Sequence, residues 1–133
     1  MFTLAQYEAE LVEAKTSYGE MHPTVAEILN TIALHHFHLG NNADWARLHH
    51  MKALSILRQC ARTDSTFSIR DAIAVTLVDV GNTFLRDNDL DKAKASFKEA
   101  LDILSSKERP TKVQYNSYCF DAARRGLEKT SYC

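Results

Sequence analysis

The sequence predicts an all-α protein built from consecutive antiparallel helical hairpins. Three observations carry this. Apolar residues recur in steps of three and four through most of the 133 residues, the period of a helix with one buried face. Gly and Pro number only four and two, and Ala, Leu, Glu and Lys are abundant, a composition that favours helix over strand. The periodic stretches are separated by short polar turns, which make successive helices antiparallel.

The first helix is expected over Leu4 to about Ser17, with Leu4, Tyr7, Leu11 and Ala14 on its apolar stripe. Gly19 suits a left-handed cap and Pro23 the first turn of the next helix. That second helix runs to about Leu39, burying Val25, Ile28, Leu29, Ile32, Ala33 and His36 or Phe37, and Gly40-Asn41-Asn42 stops it. The third spans about Ala43 to Cys60, with Trp45 or Ala46, Leu48, His49 or His50, Ala53, Ile56 and Leu57 inward. After a polar linker rich in capping residues, the fourth runs from about Ile69 to Arg86 and the fifth from about Asp89, a natural N-cap, to Ser106. The sixth is expected over Thr111 to Lys129, with Val113, Tyr115, Tyr118, Cys119, Ala122 and Leu127 inward.

The chain repeats itself. Ala53-Leu54-Ser55-Ile56-Leu57 is echoed by Ala100-Leu101-Asp102-Ile103-Leu104 at an offset of 47, and Ala46 by Ala93 at the same offset. Leu29-Asn30-Thr31-Ile32-Ala33 is echoed by Leu77-Val78-Asp79-Val80-Gly81 at 48. The positions kept are small or apolar, as stacked hairpins require. Ala33 and Gly81 allow a neighbouring helix close, and Phe97 is large enough to fill the space between hairpins.

Composition bounds the rest. A length of 133 residues with 45% hydrophobic and 25% charged side chains fits one globular domain. The net charge of −1 gives no overall basic field to draw nucleic acid or anionic lipid. Charge is nevertheless uneven. Residues 1–20 hold four glutamates against Lys15, and residues 107–133 hold six basic side chains against three acids, which points to head-to-tail association of copies beside the simpler reading of two solvated faces. Three widely spaced cysteines, Cys60, Cys119 and Cys133, with no CxxC, fit a reducing compartment better than a disulfide scaffold. No signal-peptide pattern and no membrane-length apolar run occurs, so a cytoplasmic location is expected.

These residues resemble the tetratricopeptide repeat. Leu77-x-x-Val80-Gly81-x-x-Phe84 followed by Ala93, Phe97 and Ala100 matches that family's alternation of large, small and aromatic positions. Tyr18-Gly19-Glu20-Met21-His22-Pro23-Thr24-Val25-Ala26, then Leu29-Asn30-Thr31-Ile32-Ala33 and Leu39-Gly40, is similar to the kinesin-light-chain subtype. The resemblance covers about residues 7–106. His36 and His50 stand where the family often has aromatics, and the connection from Cys60 to Ala74 lacks the His-Pro element. It implies a right-handed superhelix of about three hairpins within one domain, 1–133: a partial repeat over 1–22, repeats over 23–60 and 69–106, and a capping helix over 110–130.

Such arrays act as scaffolds, with the first helix of each hairpin lining a concave groove that holds a peptide or helix of a partner protein. The resemblance therefore places a partner-binding surface on Asn30, Leu34, Phe37 and His38 of one hairpin and Val78, Asp79, Asn82 and Arg86 of the next, with Glu27, Thr31, Val75 and Leu85 alongside. Asn30 and Asn82 suit a peptide backbone, Arg86 a carboxylate, and Leu34 and Phe37 apolar contact. The expected role is a non-catalytic adaptor without cofactors. The alternative is a structural subunit of a larger assembly or homo-oligomer. The cluster His35, His36, His38, His49 and His50 raises two lesser readings, zinc binding and pH sensing, although no helix offers an i, i+4 pair of histidines. No HExxH motif, strained nucleophile turn or phosphate-binding glycine loop is present.

Overall fold

The computed structural model describes residues 3–64, 66–105 and 117–131. These form six helices and no strand: α1 (Leu4–Tyr18), α2 (Pro23–His38), α3 (Ala43–Thr63), α4 (Phe67–Arg86), α5 (Leu90–Leu104) and α6 (Ser117–Lys129). The chain divides into two compact units, Met1–Ser65 and Thr66–Cys133. In the first, α1 packs on α2 and α2 on α3; in the second, α4 packs on α5 and α6 on both.

Side chains at the turns set the helix starts. Thr3 and Gln6 form a reciprocal capping box on α1, the Thr3 hydroxyl accepting the Gln6 N–H at 3.3 Å and the Gln6 side chain accepting the Thr3 N–H at 2.6 Å. Gly19 then takes φ +88°, a conformation that L side chains resist. His22 caps α2 by accepting the Thr24 N–H on Nδ1 at 3.1 Å, with Pro23 in the first turn. Asn42, Thr66 and Asp89 cap α3, α4 and α5 in the same way. Thr66 sits ahead of the expected start at Ile69, so α4 opens two residues early, and α3 runs three residues past Cys60. The first described residue of α6 is Ser117. Val113 and Tyr115 lie outside the described residues, and Cys119, Ala123 and Gly126 are the buried positions of the helix, with Ala122 and Leu127 half-buried.

The α2–α3 hairpin closes on four alanines with no exposed surface: Ala26 and Ala33 on α2, Ala46 and Ala53 on α3. Each pair is one heptad apart, so small residues line a straight seam and the helices approach closely. The α4–α5 hairpin repeats this with Ala74, Gly81, Ala93 and Ala100. Phe97 fills its centre with 0% exposure. A methyl group on Gly81 would stand 2.7 Å from the Phe97 ring, and one on Gly126 would meet the same ring more closely still. The ring is thus held between bare backbone of α4 and α6. The buried hydroxyls of Thr76 and Thr83 donate to Ala72 and Val80 carbonyls at 2.8 and 2.6 Å, which satisfies them inside their own helix. Among the described residues no helix is long and apolar enough to cross a membrane.

Candidate functional site

The first helix of each hairpin carries a stripe of residues that the core does not use. At about 100° per residue, positions i, i+4, i+7 and i+11 share one helix face within roughly 60°. On α2 that stripe is Glu27, Thr31, Leu34 and His38, all exposed except half-buried Thr31. On α4 it is Val75, Asp79, Asn82 and Arg86, with Val75 and Arg86 exposed and Asp79 and Asn82 half-buried. The two stripes are the same positions at an offset of 48. They differ in chemistry, and so can be read differently by a ligand.

Of the eight surface residues expected from the sequence, the structure keeps Leu34, His38, Asp79, Asn82 and Arg86 on these stripes. Phe37 is half-buried beside them, its ring edge-on to His38 at 5.2 Å. Asn30 and Val78 lie beside the stripes, toward the neighbouring helix. Val78 is 6% exposed and belongs to the core of its unit. Asn30 accepts the Nδ1–H of His50 at 2.8 Å across the α2–α3 seam. The offset of the repeat explains both: Asn30 and His50 occupy the places that Val78 and Phe97 hold in the second hairpin. A polar pair in one unit stands for an apolar pair in the other. In the same register Ala33 stands where the second hairpin has Gly81, which makes room for the Phe97 ring.

Burial sets the electrostatics of these groups. His50 is 1% exposed. Desolvation, then the nearby His49, hold its imidazole down to about 4, so it is neutral at physiological pH and its Nδ1–H is available to Asn30. Burial pushes the Asp79 carboxyl up to about 7, so the α4 stripe carries a carboxyl poised between its charged and neutral forms. Cys119 of α6 is buried, and burial, then Asp79 and Asp71, push its thiol up to about 11. Cys60 is half-buried and donates to the Met21 carbonyl at 3.3 Å, tying the end of α3 to the α1–α2 turn. Its thiol is also raised, by burial and then Asp64, against a lowering backbone hydrogen bond. Raised thiols are poor nucleophiles, and Cys119 packs as a small buried hydrophobe.

Three of the other histidines, His35, His36 and His49, form an aromatic cluster at one end of the first unit. The His36 ring lies 5.4 Å from that of His49 and stacks against Trp45 at 6.1 Å, while Tyr7 meets His35 edge-on at 6.3 Å. His49 donates from Nδ1 to the Trp45 carbonyl at 2.8 Å. Burial, then His49 and His35, lower His36, and Glu8 opposes them. Among the described residues no three His, Cys, Asp or Glu side chains are placed to share a metal ion. Imidazoles here replace aromatic packing.

A concave surface lies in the same unit, on another face of α2. A cleft of about 370 Å³ opens between α1 and α3. Leu29 and Ile56 lie buried at its floor, Leu11, Met21 and His49 line it, and Lys15, Glu20, Lys52 and Ser55 stand exposed around it. Leu34 and His38 sit about 140° and 180° around α2 from Leu29, so this cleft and the α2 stripe point in opposite directions.

The chain matches no known family model and no curated protein at a significant level.

Proposed function

We propose that the chain is a tetratricopeptide-like scaffold, an adaptor that takes a peptide or helix of a partner protein on the exposed faces of α2 and α4. The observation that carries this reading is the pair of equivalent stripes. Each hairpin buries its small and large apolar positions in its own seam and leaves Glu27, Leu34 and His38, or Val75 and Arg86, exposed, with Thr31, Asp79 and Asn82 half-buried between them. Leu34 and Val75 offer apolar contact to an amphipathic segment, and Arg86 suits a carboxylate on it. The resemblance of Leu77–Ala100 to the family's alternation of large and small residues supports the same reading, with a right-handed superhelical arrangement of the hairpins.

The test is affinity capture with the intact chain, followed by two stripe variants. Leu34→Asp and Arg86→Glu change exposed side chains, so helicity by circular dichroism should stay as in the parent. A partner retained by the parent and weakened tenfold or more by either variant supports the reading. Capture that is indifferent to both variants, with helicity retained, refutes it.

A further inference from the structure

Helix α1 carries a fourth-and-third stripe of its own, and that stripe is complementary to itself. Leu4, Glu8, Leu11 and Lys15 follow the i, i+4, i+7, i+11 pattern, with Val12 beside them. Glu8 and Lys15 are exposed, Leu11 is half-buried and Val12 is 64% exposed. Within the stripe an acid and a base flank an apolar centre, and half-buried Leu4 lies beyond Glu8. Neither Glu8 nor Lys15 has an ion-pair partner among the described residues. Leu11 and Lys15 also line the cleft between α1 and α3, where Met21 adds an apolar side chain that is 52% exposed.

We propose that this face is an interface between two copies of the chain, with α1 of each seated along α1 and the neighbouring cleft of the other across a two-fold axis. The charges select the orientation. Antiparallel helices place Glu8 of each copy opposite Lys15 of the other, twice over, with Leu11 and Val12 meeting at the axis. Parallel helices would set Glu8 against Glu8 and Lys15 against Lys15, and repel. The cleft accommodates this because its other rim charges, Glu20 and Lys52, are also one of each sign. A helix of 15 residues is about 22 Å long, which makes a small interface. The association is therefore weak, reversible and concentration-dependent, and it falls with salt.

Sedimentation velocity of the intact chain across a concentration series tests this. The parent sediments as a monomer–dimer equilibrium. Lys15→Glu and Glu8→Lys each weaken dimerisation by roughly tenfold, because two exposed pairs turn from attractive to repulsive. The double variant Glu8→Lys with Lys15→Glu restores the parental dimer, since every pair is reversed together. Circular dichroism confirms that all three remain folded. A parent that stays monomeric into the millimolar range overturns the proposal, as do single variants without effect or a double variant that fails to recover. Leu34→Asp leaves the dimer unchanged, so failure of the partner-binding reading and failure of this one are distinguishable.

Discussion

At the scale of single residues, His50 is the side chain whose setting departs furthest from its polarity. It lies in a seam of alanines, hydrogen-bonded only through one nitrogen to Asn30 among the contacts described above. Its imidazole takes a proton near 6.5 in the unfolded chain and near 4 in the folded one. Between those values the unfolded state binds more protons. The stability His50 allows is therefore complete above about pH 6.5 and falls as the pH drops toward 4, by up to about 3 kcal/mol. Urea unfolding at pH 7 and pH 5 should show that loss, and His50→Gln should flatten it; an unchanged slope in the variant would refute the assignment. Asp79 has the opposite sign. Its folded carboxyl keeps a proton to about 7, whereas the unfolded one releases it near 3.8. Stability from this group is greatest at acid pH and is lost as pH rises through 7. Asp79→Asn should accordingly gain about 2 kcal/mol at pH 8 and almost nothing at pH 4.

At the scale of elements, the two hairpins solve one packing problem with different rings. In α4–α5 the ring is Phe97, opposed by Gly81 and Gly126; in α2–α3 it is His50, and Ala33 holds the position equivalent to Gly81. Gly81→Ala should therefore destabilise by about 1–3 kcal/mol even though alanine is the better helix former by about 1 kcal/mol. The loss should shrink when Phe97→Leu is added. In the other hairpin His50→Phe should cost a similar amount, and Ala33→Gly should relieve it, as read from denaturation midpoints of the four proteins in a double-mutant cycle. Additive effects would show that the ring and its small neighbour do not share space. The periodicity of Leu77, Val80, Gly81 and Phe84, and of Ala93, Phe97 and Ala100, made this hairpin legible in the sequence. Helix starts were less so, because Thr66 rather than a later residue supplies the cap, and capping residues outnumber caps in the linker. The Asn30–His50 hydrogen bond was not foreseen. A polar side chain next to the apolar stripe reads as exposed unless its buried partner, twenty residues on, is known. The repeat offset, which sets Asn30 against Val78 and His50 against Phe97, was the signal that could have found it.

At the scale of the whole molecule, the two units should respond to pH in opposite senses. The first holds His50 and should weaken with acid, and the second holds Asp79 and should weaken with base. The chain has one tryptophan, and Trp45 lies in the first unit, half-exposed beside His36 and His49. Its fluorescence follows that unit alone, while circular dichroism follows both. On heating at pH 5 the fluorescence transition should precede the main loss of helicity, and at pH 8 it should follow it. Coincident transitions at both values would show that the two groups do not govern their units. The order of helices and the inward residues could be read from the sequence because small and apolar positions repeat. The division into two units could not, because the polar linker after Cys60 looks like any other turn. The Phe97 ring, pinned between two stretches of bare backbone, has a consequence in time as well as in space. It turns over only when α4, α5 and α6 part together, so the rate at which its two edges exchange, read as line shape in a nuclear magnetic resonance spectrum, is a clock for the breathing of the whole second unit.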